Sequence, residues 1–232
     1  MTDARPLQIA IDGPVAAGKG DIAVRLAKEL GLVYIYTGAM YRALGLACKK
    51  ASVDTKNQTE VLSLLESTAI DLVDPDPQSS RAYKVLLNNA DVTEELFTPE
   101  ISMAASDVAT VAAVRGSMVK RQQEMAEGKR VVMEGRDIGL RVLPNANLKI
   151  YLTAGLEERA KRRQEQLKRE KGLERLFKDV LQDTKERDIQ DTSRGADPLQ
   201  KLPAAWELDT TNMTQDQVVA AIKKELKHRN LL

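Results

Sequence analysis

The sequence predicts an α/β protein: a parallel sheet of about five strands covered by helices on both faces. Three observations carry this prediction. Short apolar runs of strand length alternate with longer stretches of helical periodicity along most of the 232 residues. The first run stops in a glycine-rich turn that opens directly into a helix. One internal region breaks the alternation and reads as a small, partly antiparallel insertion.

The elements follow in order. "LQIAID" (Leu7–Asp12) is a buried strand that ends at Gly13 and Pro14. From Gly20 to Leu30, Ile22, Ala23, Leu26, Ala27 and Leu30 fall at helical spacing, and Gly31 closes the helix. "LVYIYTG" is a second strand and "AMYRALGLACKKA" a second helix. Three more apolar strands are predicted at Val131–Gly135, Leu148–Ala154 and Ala205–Thr211, with helical stretches between them. The last helix begins with Thr214 and Gln217 in capping-box spacing. The irregular region spans Ile70–Leu96: two prolines, a polar loop, then "YKVLLNNADVT", where Asn88-Asn89 suits a tight turn.

Composition narrows the chemistry. A net charge of +1 gives no electrostatic footprint for nucleic acid, and eight aromatic residues argue against a base-stacking platform. With one cysteine, Cys48, and one histidine, His228, the chain can form no internal disulfide, Cys/His zinc cluster or Ser-His-Asp triad. Cys48 is expected in the core and His228 in solvent. The opening "MTDARPLQIAIDG" lacks the apolar segment of a signal peptide, and no run approaches membrane-spanning length. A cytoplasmic protein without nucleic-acid or membrane partners, and a monomer, is the expectation.

The turn after the first strand, "GPVAAGKGD", carries the strongest chemical signal. Gly13, four residues, Gly18 and Lys19, set between a strand and a helix, form a phosphate-binding loop. Backbone N–H groups turn inward, Lys19 reaches the β/γ oxygens, and the helix offers its positive end. The residues expected to hold the triphosphate are Gly13, Pro14, Val15, Ala16, Ala17, Gly18, Lys19, Gly20 and Asp21.

Four further stretches narrow the match: "YTGAMYRALGLA" (36–47), "NNADVTEELFTPEIS" (88–102), "MEGRDIG" (133–139) and "KERDIQDTSR" (185–194). Together with the loop they resemble the bacterial type of cytidylate kinase, within the nucleoside monophosphate kinases, from about Ile9 to the C-terminal helix. The resemblance implies a single P-loop NTPase domain over 1–232, with a monophosphate-binding insertion at 66–103 and a mobile lid at 157–198. It implies transfer of the γ-phosphoryl group of ATP to CMP or dCMP with Mg²⁺, and it names no protein ligand for the metal.

Moving a phosphoryl group between nucleotides is mostly positioning and charge neutralisation, so several cations must converge on the phosphates. Arg42, Arg136, Arg187 and Arg194 are the candidates, each in a short motif rather than a charge run. By resemblance, Lys19, Arg136, Arg187 and Arg194 carry catalysis, and Arg42, Arg136 and Arg194 grip the CMP phosphate. Thr37 also lies in the substrate site, Arg187 acts at phosphate or ribose, and Asp191 accepts from the sugar hydroxyls. Ser106, Arg115 and Asp137 resemble the family's cytosine readers, and a carboxylate such as Asp137 can accept from the exocyclic amine that uracil lacks.

The basic stretch 157–172 has two readings. Glu158/Arg162 and Glu165/Arg169 are i,i+4 pairs that suit an exposed helix, whereas a lid would bring Arg159 or Arg163 to the ATP phosphates. Two positions depart from the family pattern. Asp21 stands where the family has Thr or Ser, and Tyr36 where many members have Asp; neither looks like a core substitution. A carboxylate in an empty first helical turn gains roughly 0.3–1 kcal/mol. Beside a bound triphosphate it meets repulsion on the order of 4 kcal/mol at a dielectric near 20, unless Mg²⁺ intervenes. The lost hydroxyl bond adds about 1.5–3 kcal/mol. Lowered activity is therefore expected. The alternatives are a kinase for another monophosphate such as UMP, or a catalytically silent nucleotide-binding protein.

Overall fold

The computed structural model describes residues 6–73, 75, 78 and 81–232, with the backbone alone for Glu170 and Lys171. Its elements are β1 (Gln8–Asp12), α1 (Lys19–Leu30), β2 (Val33–Tyr36), α2 (Thr37–Lys50), α3 (Gln58–Glu66), β3 (Ile70–Val73), β4 (Lys84–Leu87), β5 (Ala90–Asp91), α4 (Pro99–Val108), α5 (Ala112–Ala126), β6 (Val131–Gly135), β7 (Leu148–Thr153), α6 (Leu156–Lys171), α7 (Phe177–Ser193), β8 (Trp206–Asp209) and α8 (Gln215–His228). Short irregular turns cover Thr93–Phe97 and Ile138–Val142. Contacts divide the chain into two compact units, 1–33 with 128–232, and 34–127.

The predicted five-stranded sheet is present, in the order β2-β6-β1-β7-β8. β1 pairs parallel with β6, Ile9 opposite Val132, and with β7, Ile11 opposite Ile150; β7 pairs parallel with β8. A central strand flanked on both sides buries both faces, so β1 reads as a continuous apolar run and Ile9, Ala10 and Ile11 are fully buried. α1 lays Ile22, Ala23 and Leu26 into this first unit's core. It starts at Lys19, one residue before the predicted start, because Gly18 in the left-handed region serves as its N-cap. The predicted capping box holds: the Thr214 N–H donates to Gln217 Oε1 (2.9 Å) and the Gln217 N–H to Thr214 Oγ1 (3.3 Å).

The second unit has its own apolar core, in which Met40, Leu44, Leu65, Leu96 and Met118 are fully buried. Cys48 lies within it, as expected. α2 begins at Thr37, so Thr37 and Gly38 form a helical first turn rather than the strand end that the sequence suggests. The antiparallel segment is present as a three-stranded sheet, β3-β4-β5. Asn88 and Asn89 turn between β4 and β5 with φ of 49° and 66°, the positive pair that a tight hairpin demands. Part of the polar loop after Val73, and residues 1–5 of the opening stretch, lie outside the described residues. No helix among the described residues is long and apolar enough to cross a membrane.

Candidate functional site: a phosphate loop inside a cluster of buried charges

The loop owes its shape to two glycines. At Gly13, φ is 153° and a Cβ would stand 2.0 Å from the Leu152 carbonyl oxygen, so no side chain fits between loop and β7. Gly18, with φ 88°, turns the chain into α1. Lys19 then folds back over the loop, donating to the carbonyls of Gly13 and Pro14 at 2.8 Å each. It is 5% exposed. Burial, together with the Arg136 charge, pulls its ammonium down to about 7, against the opposing pull of Glu134, Asp191 and Asp12.

Around Lys19 the first unit gathers most of the predicted arginines. Arg136, just past β6, donates through Nε to Asp191 on α7 at 2.5 Å. Burial alone would raise the Asp191 carboxyl, but Arg136, Arg187 and Arg194 hold it below the usual carboxylate range. Arg194, which ends α7, donates through Nε to the Asp197 carbonyl (2.8 Å), and its guanidinium lies 3.9 Å from the carboxylate of Asp137. Asp137 itself is 8% exposed. Lys19, Arg136, Asp137, Arg187, Asp191 and Arg194 are thus brought together, drawn from β6, α7 and the phosphate loop.

One member of this cluster is absent from the expectation. Asp12, the last residue of β1, is buried and accepts from the backbone N–H groups of Ile138 and Gly139 at 2.8 Å each. Burial pushes its carboxyl up to about 6 against those two bonds. The carboxylate fastens the turn after Asp137 to the strand that launches the phosphate loop. The only signal in the sequence is an acid ending an otherwise apolar run, directly before the loop glycine.

The remaining predicted residues belong to the second unit. Thr37 is buried at the start of α2. Arg42 donates to the Leu96 carbonyl (3.0 Å) and to Ser102 Oγ (2.6 Å), and its guanidinium lies 5.4 Å from the Phe97 ring centroid. On α4, Ser106 Oγ donates to the Ser102 carbonyl at 3.2 Å. Arg115 on α5 is 2% exposed, donates to the Ala109 carbonyl (3.3 Å) and lies 5.8 Å from the Tyr41 ring. Few aromatics does not mean dispersed ones: Tyr34, Tyr36, Tyr83 and Phe97 form one cluster, with Tyr36 5.4 Å from Tyr83 and 6.5 Å from Phe97.

The two departures are placed differently. Asp21 is exposed, in the first turn of α1, and accepts from Gln215 Nε2 at 3.1 Å. In that wet setting repulsion of a bound phosphate falls from about 4 toward about 1 kcal/mol. Tyr36 is half-buried and packs against the second unit's core, so here the expectation of a non-core substitution gives way: its phenol is anchored by neighbouring rings. In the basic stretch, Arg162 pairs with Glu158 at 2.8 Å as expected of an exposed helix, but Arg159 is 6% exposed. Arg163 donates to Gln166 at 2.8 Å. His228 is exposed, as expected.

As for a metal, no group of three or more acid, cysteine or histidine side chains among the described residues could cage one. Both oxygens of Asp12 are committed to backbone donors. A Mg²⁺ ion delivered on nucleotide phosphates keeps several waters and needs no such cage.

Comparisons with known proteins show the family of the chain. A cytidylate kinase of Caldicellulosiruptor saccharolyticus is 44% identical over 218 residues, 94% of each chain. That of Bacillus subtilis is 41% identical over 226 residues, 97% of this chain and 99% of its own. In fold alone, the chain is similar to the crystal structure of an uncharacterized protein from Eubacterium ventriosum, with a TM-score of 0.53, 13% identity and coverage of 97% and 99%. The family model described as cytidylate kinase matches residues 9–228, and with it the loop, the clustered arginines and both units: the chain belongs to the cytidylate kinase family.

Proposed function

We propose that the protein transfers the γ-phosphoryl group of ATP to CMP or dCMP, releasing ADP and the nucleoside diphosphate. The observation that carries this reading is the packing of Lys19, Arg136 and the α7 charges around one phosphate loop. Such a cluster suits a reaction whose difficulty is negative charge. An oxygen of the CMP phosphate attacks the γ-phosphorus, and the bond to the β–γ bridging oxygen breaks. The acceptor is an anion at neutral pH, so no general base is required.

In this reading the loop amides of 13–21 hold the β- and γ-phosphates and Lys19 leaves the Gly13 and Pro14 carbonyls to meet them. Polyphosphate beside Lys19 restores the ammonium that burial and Arg136 disfavour in the empty protein. Arg136 and Arg194 bind the CMP phosphate with Arg42, whose guanidinium is held ready by Leu96, Ser102 and the Phe97 ring. Arg187 acts at phosphate or ribose, and Asp191 takes the sugar hydroxyls while keeping Arg136 in place. Asp137, with Ser106 and Arg115, reads cytosine, and Thr37 lines the substrate site. Mg²⁺ would supply charge neutralisation on the phosphates, held mainly by those phosphates and by water. The lid reading of 157–198, a monomer and a cytoplasmic setting with its nucleotide pools accompany this proposal.

The test is ADP formation measured with CMP, dCMP, UMP and AMP, with and without Mg²⁺. CMP and dCMP are expected to exceed UMP and AMP by at least tenfold, and only with the metal. UMP turning over faster than CMP would overturn the cytosine reading.

A further inference from the structure

Arg159 is the first basic residue of the basic stretch, yet it is 6% exposed, while Glu158, Arg162 and Arg163 around it are half-buried. Its guanidinium is committed on every arm. Nε donates to the Ala154 carbonyl at the end of β7 (2.9 Å), one terminal nitrogen donates to the Val15 carbonyl (3.2 Å) and to Asp188 Oδ1 (3.0 Å), and the other pairs with Asp188 Oδ2 (2.7 Å). A two-pronged contact of this kind fixes direction as well as distance. Asp188 lies one helical turn before Asp191, the partner of Arg136, so α7 is tied at one point to the phosphate loop and at the next to the arginine cluster.

Val15 is inside that loop. Its peptide to Ala16 is planar and trans, so the Val15 carbonyl and the Ala16 N–H point in opposite directions. A carbonyl held by Arg159 turns the Ala16 N–H to the other side of the loop. Ala16 itself has φ of 58°, an unusual value for a residue with a Cβ. It is the left-handed half of the backbone pattern that gathers successive N–H groups into an anion-binding concavity. Something must keep that unfavourable conformation in place, and Arg159 is bonded to the peptide that defines it.

We propose that Arg159 is a positioning residue of the phosphate loop. Braced by Asp188, it sets the Val15–Ala16 peptide so that the Ala16 N–H faces the nucleotide phosphates, and it does not itself touch them. This rests on the reading of the loop as the ATP-phosphate site and differs from the lid reading in which Arg159 or Arg163 meets those phosphates.

The experiment is calorimetric titration of the full chain with ATP and separately with CMP, together with kcat at saturating ATP and melting temperature, for wild type, Arg159→Lys, Asp188→Asn and the double variant. Arg159→Lys keeps the charge but loses the fork. It is expected to weaken ATP binding about tenfold, with CMP affinity within twofold and saturating kcat within threefold. Asp188→Asn, which leaves Arg159 in place, is expected to weaken ATP about threefold, and the double variant to be no worse than Arg159→Lys, because both act through one contact. A hundredfold fall in kcat with ATP affinity intact would make Arg159 a phosphate contact and overturn the proposal. So would equal loss of ATP and CMP binding with a lowered melting temperature, the mark of a merely structural role. Wild type that binds no ATP would overturn the loop's assignment as well; wild type that binds it no better than both variants overturns this proposal alone.

Discussion

The two units differ in how much charge they bury. The first encloses charge as well as its apolar core: Asp12, Lys19, Glu134, Asp137 and Arg159 are all nearly inaccessible, and Asp12, Lys19 and Arg159 bond to other charges or to backbone dipoles. The second encloses mostly hydrocarbon, from Ala39 and Met40 to Met118, with Arg115 buried beside Tyr41 and Arg42 kept beside a ring and two oxygen acceptors. The difference teaches what each half of a phosphoryl transfer asks for. Phosphates need cations in a low dielectric, where charge acts strongly and is expensive to desolvate. A nucleoside needs a surface of fixed shape, which an apolar core supplies cheaply.

The largest expected effect breaks the comparison on the charged side. Lys19→Met should lower kcat/KM for CMP phosphorylation by roughly 10²–10³-fold in a coupled ADP assay if, as proposed, its ammonium leaves the Gly13 and Pro14 carbonyls to meet the phosphates. The same lysine predicts a proton signal. Because burial and Arg136 lower its pKa in the empty protein, ATP binding near pH 7 should take up a fraction of a proton, read as a difference in binding heat between two buffers, and Lys19→Met should abolish it. The sign for stability follows from a lowered value. Between about pH 7 and 10.5 the unfolded chain holds more protons, so wild type gains stability relative to Lys19→Met as pH rises through that window.

On the apolar side, Leu44→Ala should cost about 2–5 kcal/mol in chemical denaturation, because Leu44 is fully buried in the second unit's core. Activity of the fraction that remains folded should change little. The two departures then sharpen the contrast. Asp21→Thr, at an exposed turn, should raise turnover about fivefold, the equivalent of about 1 kcal/mol of relieved repulsion, while costing the empty protein roughly 0.3–1 kcal/mol of stability from the lost helix-end charge. Tyr36→Asp should instead lower stability by about 1–2 kcal/mol, since the phenol is held between Tyr83 and Phe97. The smallest effect is expected at Thr214→Ala, about 1 kcal/mol from the α8 cap, with no change in turnover.

What was legible in the sequence was local. Gly13, Gly18 and Lys19 announce the loop because their spacing and flanking elements are contiguous, and Asn88-Asn89 and Thr214/Gln217 announce a turn and a cap for the same reason. What was not legible depended on distant partners. Arg159 looks solvated among Glu158, Arg162 and Arg163 until Asp188 and Val15 close on it. Tyr36 looks like a strand-end polar residue until Phe97, 61 positions away by number, stacks against it. Asp12 looks like a strand's last residue, and the backbone amides it serves lie more than 120 residues on. Helix α2 starting at Thr37 rather than later is likewise a matter of what surrounds Thr37, a buried position that its own side chain does not advertise.

Asp12 has a consequence for how such a protein can change. Because one carboxylate grips two consecutive amides just past Asp137, the segment that would choose the base is riveted to the strand that presents the donor loop. The side chain at 137 can therefore be exchanged, and new acceptors tried, without the backbone beneath it drifting out of alignment with Lys19. Variation in what is phosphorylated is separated, mechanically, from the apparatus that phosphorylates.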